Sequence, residues 1–268
     1  MFAVLLSSPG ADGIGEAYVA NLEGAPALTR GAVVRPLAEG DSLRVGDRIS
    51  TGEDGSVEIV LGDGSVIEAG ERTRLVIRNL AAVRGVLRFE AGLDAGFVSN
   101  TVIPARGIEY RISTPTGTAG VRGTEFNVAF DESEDGTDLS VEEGRVEVES
   151  AGGERQEVRA GTSGRFSRAR FERRDDVRDR LAARREAVRA KIRTALERRF
   201  RSHLESGRTP TEGEIYRAVP ERVRSRMSEA TRNRFREKME NRIRSIRERS
   251  RERREERRPT NRRPASGK

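Results

Sequence analysis

Between Gly31 and Phe166, apolar residues recur at every second position in short runs, and the runs end at glycines. Such alternation belongs to strands with one buried face, so this half of the chain is restricted to a sheet-built fold. The stretch "GSVEIVLGDGSVIEAG" shows the pattern best: Val57, Ile59 and Leu61 point one way, Asp63-Gly64 makes a turn, and Val66 begins the return strand. Asp-Gly between alternating runs is the strongest short-range hairpin signal and predicts a type I′ turn, with positive φ at both central residues. Further strands are predicted over 72–77, 83–89, 108–113, 124–130, 139–141 and 145–149. Strands this short, with a turn every eight to twelve residues or so, fit a sandwich or a barrel.

The stretch "TPTGTAGVRGTEF" sets Gly117, Gly120 and Gly123 three residues apart. A phosphate-cradling loop needs a helix behind it, because the helix N-terminus supplies the oriented N–H groups. Here Phe126, Val128 and Phe130 alternate as a strand, and the spacing fits neither dinucleotide nor P-loop patterns. The glycines read instead as backbone positions needing positive φ or close approach, with Pro115 ending the preceding strand and Arg122 and Glu125 able to pair across the bend.

The same stretch resembles the signature of the FecR domain family: a Thr-Pro step, then Gly-Val-Arg-Gly-Thr-Glu-Phe, then a strand. The residues that carry the resemblance are Thr114, Pro115, Gly117, Gly120, Val121, Arg122, Gly123, Thr124, Glu125 and Phe126. Other landmarks follow in order: "VGDRISTGEDGSVEIVLGDGSVIEAGERTRLVI", "RGVLRFEAG", "LSVEEGRVEV" and "VRAGTSG". The resemblance covers roughly Gly31 to Gly164 and implies a mainly β, two-sheet, jelly-roll-like sandwich outside the cytoplasm. It further implies a sensing or protein-interaction module rather than an enzyme. The best-known members carry an anti-sigma segment and a transmembrane helix ahead of this domain, which "MFAVLLSSPGADG" does not supply; that start reads as a signal peptide lacking its basic front end.

Chemistry-bearing residues are few. There is no cysteine, so thiol nucleophiles, thiolate metal sites and disulfides are excluded. His203 is the single histidine and lies among arginines, which leaves no parts for a hydrolytic triad or a multi-histidine metal site. The absence of tryptophan and the presence of only three tyrosines make a poor sugar-stacking groove. Asp131, Ser133, Asp135, Gly136 and Glu142 stand at positions of an EF-hand calcium loop, but strands flank them where helices belong, and an acidic hairpin tip explains the same letters. No catalytic, metal or cofactor site is assigned.

Charge divides the chain sharply. Residues 1–164 hold 15 basic and 27 acidic residues, a net −12, whereas residues 165–268 hold 36 and 17, a net +19. In the basic part Val177, Leu181, Val188, Ile192, Leu196, Phe200 and Leu204 recur at helical spacing. "SGRTPTEGE" interrupts, and Val219, Val223, Met227, Ala230, Met239, Ile243 and Ile246 form a second stripe, so an Arg-rich helical hairpin or coiled coil is expected. The organisation read here is 1–30 as truncated signal peptide and first strand, 31–166 as the β domain, 167–250 as a charged amphipathic helical region and 251–268 as a disordered basic tail. The basic region is expected to dock on an acidic protein or an anionic envelope surface, or to self-associate through its helices, and to lie against its own acidic domain in a salt-sensitive way. A periplasmic or secreted bacterial protein is the favoured reading. The alternative is a cytoplasmic protein associated with nucleic acid through its arginines.

Overall fold

The computed structural model describes residues 15–104, 109–134 and 136–206, with single positions at 208, 211, 214, 241, 244 and 248. Strands come first: β1 (Ala17–Glu23), β2 (Ala27–Arg30), β3 (Val33–Pro36), β4 (Ser42–Leu43), β5 (Arg48–Ser50), β6 (Ser56–Leu61), β7 (Val66–Ala69), β8 (Arg74–Val83) and β9 (Val86–Thr101). Then follow β10 (Glu109–Thr114), β11 (Gly117–Val121), β12 (Glu125–Asp131), β13 (Gly136–Glu143), β14 (Arg145–Ser150), β15 (Arg155–Arg159), β16 (Ser163–Phe166) and β17 (Phe171–Arg173). Helices α1 (Asp175–Arg199) and α2 (Arg201–Glu205) close the continuous part.

The pairings form two series. One runs β4-β1-β6-β7-β9-β12-β13-β16-β17, every neighbour antiparallel. The other runs β3-β2-β5-β8-β9-β10-β11-β14-β15, with β9 and β10 parallel. Strand β9 belongs to both: its first part pairs with β8 and β10, and residues 96–101 pair with β12 and, in part, β7. Alternation decides which side chains go inward, and those of both series meet in one buried cluster that includes Val57, Ile59, Leu75, Phe89, Tyr110, Phe126 and Phe166. Tyr110 anchors it, with ring centroids 5.0 Å from Phe89 and 6.2 Å from Phe126 and its hydroxyl donating to Asn100 Oδ1 at 2.7 Å.

The change of partner along β9 happens at Gly96, where φ is +95°. A Cβ there would stand 2.5 Å from Thr73 Cα and 2.7 Å from the Arg72 carbonyl, so no side chain fits. Thr73 secures the bend, its hydroxyl accepting from Phe97 N at 3.1 Å.

Turn chemistry departs from expectation in two places. At Asp63-Gly64 only Gly64 has positive φ, and Gly64 N donates to the Leu61 carbonyl at 2.8 Å, so the turn is not type I′. The Asp63 carboxylate instead accepts from Ser65 N and Ser65 Oγ, both at 2.9 Å. The paired positive φ of a type I′ turn occurs at Arg84-Gly85, which splits the strand expected over 83–89 into the end of β8 and the start of β9.

Helix α1 packs on the outer side of the first series. Val177, Leu181, Val188, Ile192 and Leu196, followed by Phe200, are buried against Tyr18, Ala20, Val60, Val66, Phe97 and Ala129. Six apolar side chains, each contributing a gross ~1.5–3 kcal/mol when fully buried, outweigh exposed ion pairs worth about 0–1 kcal/mol each. The first stretch of the basic region is therefore a packed layer, and the expected salt-sensitive contact is the weaker part of it. Strand β17 also extends the sheet into the region read as helical. The second stripe from Val219, the terminal basic stretch and the N-terminal leader lie outside the described residues, as does the side chain of Leu204.

Replacing Gly96 with alanine is expected to destabilise the protein by about 2–4 kcal/mol, from positive φ and backbone overlap together. Gly31→Ala, at φ +60° with nothing within 4 Å of the added Cβ, should cost about 1–2 kcal/mol. Equal midpoints in urea denaturation for the two variants would contradict this account of β9.

Candidate functional site

The signature stretch becomes a hairpin and a turn. Pro115-Thr116 links β10 to β11, and the Thr114, Thr116 and Thr137 hydroxyls form a buried cluster with contacts of 2.6 and 2.7 Å to Thr137. Gly117 admits close approach, since a Cβ would lie 2.5 Å from the Glu149 carbonyl. Gly123 needs both freedoms: φ is +74°, and a Cβ would stand 2.6 Å from Pro104 Cα. Gly120 needs neither, its nearest neighbour being the Glu147 carbonyl at 3.8 Å. Thr124 Oγ1 donates to the Arg145 carbonyl at 2.9 Å, which ties this turn to the β13–β14 turn at Gly144. Val121 and Phe126 are buried, and Arg122 is exposed.

Glu125 does not pair with Arg122. Its carboxylate receives Arg189 at 2.9 Å and Arg185 at 3.5 Å, both from α1. A shallow groove of about 270 Å³ opens beside it, lined by Gly64, Val66, Thr101, Pro104, Gly123 and Glu143 among others.

The two ends of the acidic loop are engaged separately. Asp131 Oδ1 accepts from Ser133 N at 2.9 Å and Ser133 Oγ at 2.7 Å, closing a local turn, and Asp135 lies outside the described residues. Glu142 stands six residues along β13 from Gly136, the partner of Asp131, which is about 20 Å at strand rise. Its carboxylate is engaged by Arg185 at 3.5 Å and Asn127 at 3.1 Å. Among the described residues no cluster of three or more acidic or histidine side chains could hold a metal. His203, in α2, faces Glu214 at 3.3 Å. Glu214 and Thr211 bond reciprocally as a capping box, and the Thr211 N–H with Arg208 holds the Glu214 carboxyl down to about 2.

The largest charged constellation among the described residues lies where the basic region meets the acidic domain, a contact expected from the charge division although the residues that make it were not. On the outer side of the first series, successive register partners place Asn21, Glu58, Glu68, Ser99, Asn127, Ser140 and Ser163 in one row across the strands. Every one is at least nine-tenths buried. Arg189 Nε reaches Glu68 at 3.1 Å, Lys191 reaches Glu71 at 2.9 Å, Arg198 reaches Glu23 at 2.9 Å and Arg199 reaches Glu39 at 3.0 Å. Arg180 bonds Asp138 rather than the Asp176 of its own helix, and Arg184 lies 5.2 Å over the Phe97 ring. The available signal was the sign of charge: the outward positions of β7, β12 and β13 carry Glu68, Glu125 and Glu142, while the helix stripe is flanked by arginines.

Two carboxyls at this contact respond to acid in opposite senses. Lys191, with burial opposing it, holds Glu71 below its ordinary range; burial pushes Glu39 up, against Arg199. A depressed folded pKa contributes stability that is present above the unfolded value near 4.3 and is lost as pH falls through the folded value. The contribution of Glu39 has the other sign, being present at low pH and lost as pH rises through its folded pKa.

Fold and site together define a β-rich module whose acidic outer face is held by its own basic helix. Residues 47–147 match the model of the family described as FecR protein, so the resemblance in "TPTGTAGVRGTEF" holds across this stretch. That family is one of envelope-associated regulators rather than catalysts. Two crystal structures, both described as a proposed anti-sigma factor from Parabacteroides distasonis, are similar at 17% and 19% identity, with TM-scores of 0.41 and 0.40. Each alignment covers 47% of this chain and 57% of theirs, so the chain spans little more than half the length of the solved chains it matches. No curated protein matches the chain. Among the described residues no helix is long and apolar enough to cross a membrane.

Gly123→Ala is expected to cost about 2–4 kcal/mol and Gly120→Ala to change stability by less than about 1 kcal/mol, read by urea denaturation; similar values would remove the assignment of Gly123 as the obligatory glycine. Glu71→Gln should cost at most about 1 kcal/mol at neutral pH, because the pair is half exposed. The same variant should flatten the loss of thermal stability between about pH 5 and 3. Parallel pH curves for variant and parent would show that Glu71 carries no such linkage.

Proposed function

We propose that this chain is a non-enzymatic FecR-like module of a bacterial envelope, a two-sheet, jelly-roll-like sandwich that senses or binds other proteins. The observation that carries the reading is what the signature residues do. Thr114, Gly117, Gly123 and Thr124 build turns, and Glu125 holds the helix, so the residues that carry the family resemblance are spent on shape. With no cysteine and a single histidine, the chain offers few parts for acyl or phosphoryl chemistry. The family's envelope association supports a periplasmic or secreted location. The remaining basic residues beyond α1 supply a tail suited to acidic proteins or anionic envelope surfaces, and self-association through its helices is part of the proposal.

Nucleic-acid binding is the second reading, favoured by the arginine content alone. The described structure weighs against it, because the arginines of α1 nearest the sheet are neutralised by its carboxylates. The full chain should float with vesicles rich in anionic lipid at physiological salt. With a 20-nucleotide RNA it should show no affinity beyond the non-specific range, about 10⁻⁴ to 10⁻⁶ M. Tight RNA binding with a steep salt slope, and no flotation, would replace the first reading with the second.

A further inference from the structure

The contact between α1 and the sheet has two unlike parts. An apolar stripe runs the length of α1, with Val188 and Ile192 near its middle. The sheet face beneath also carries the polar row, where Glu58 and Glu68 stand directly opposite each other on β6 and β7. Like charges across a strand pair repel, and burying them is costly unless cations accompany them. Two further members of the row, Ser99 Oγ and Asn127 Oδ1, are buried without a hydrogen-bond partner, although their residues are register partners on β9 and β12. A sheet face built only to be covered permanently would carry apolar residues here. This one is suited to water when open and to guanidinium groups when closed.

We propose that the face beneath α1 is a docking groove for an arginine-bearing amphipathic helix, which α1 fills in cis and which a helix of the same character from another protein fills in trans. The chemistry of that partner helix follows from the groove. It needs an apolar stripe matching Tyr18, Val60 and Phe97, and guanidinium groups at the spacing of Arg185 and Arg189 to meet Glu68, Glu125 and Glu142. A polar donor within the stripe would satisfy Ser99 and Asn127, which α1 leaves unmet. Exchange keeps the apolar patch covered, because one helix replaces another. Glu125 then acts as the residue through which the signature turn reads helix occupancy. This inference rests on the reading of the chain as a protein-interaction module.

The test uses the full chain and a fluorescent synthetic peptide spanning Arg174 to Phe200. A cis competitor lowers apparent affinity by the fraction of time the groove is free. The double variant Leu181→Asp with Leu196→Asp unseats α1 without altering the groove, and should bind the peptide at least about tenfold more tightly than the parent chain. Adding Glu68→Gln and Glu125→Gln should abolish that gain, and a peptide with its arginines replaced by glutamate should not bind. The proposal is overturned if the double variant keeps its β circular dichroism yet binds no better than the parent, or if the charge-reversed peptide binds equally well. It is also overturned if the double variant loses its β signal, because α1 would then be an inseparable layer. RNA binding by the full chain would sink the interaction-module reading while leaving these peptide affinities unchanged, so the two failures can be told apart.

Discussion

Everything in this fold hangs on one strand changing partners at one glycine. Strand β9 leaves β8 and β10 and joins β12 and β7 because Gly96 turns the backbone where Thr73 leaves no space for a side chain. Its sixteen residues are therefore shared property of both strand series. Loss of the bend would separate the inward faces that bury Phe89, Tyr110 and Phe126 together.

Electrostatics organises the outer layer in a second way. The acidic part of the chain and the basic part that follows are not independent bodies of opposite charge, since the acids of the first series face the arginines of α1 along its length. The apolar stripe supplies most of the attraction, and the ion pairs fix the register of the helix over the sheet. Asp47 gives a smaller version of the same logic: burial raises its pKa, yet Arg30 at 2.7 Å and the Arg44 N–H outweigh it, and the resulting carboxylate ties β2 to the turn ahead of β5.

Period-two alternation was enough to find β6, β7, β12 and β14, because the side chains that face the core recur at every second position. Alternation could not reveal that β9 serves two series, since Phe97 to Asn100 is buried on both faces and its polar members, Ser99 and Asn100, look like solvent positions. The need for glycine at position 123 was legible from the turn, whereas the partner of Glu125 was not, because Arg185 and Arg189 lie sixty and sixty-four residues away. The buried polar row was hidden for the same reason: Glu58 and Glu68 obey the pattern of exposed strand residues, and the helix that packs over this face stands far along the chain from them. Helical spacing did expose the stripe from Val177 to Phe200, but spacing says nothing about which surface a stripe meets.

The order in which these parts are synthesised has its own consequence. Arg198 closes on Glu23 across 175 positions of sequence, and contacts so distant make a chain slow to reach its native state. During synthesis the early strands present Tyr18, Ala20 and Val60 to the surroundings until roughly the two-hundredth residue has emerged. That interval is when a chain of this design is most prone to stick to its neighbours, and a chaperone that holds the early strands until the helix arrives would raise its yield.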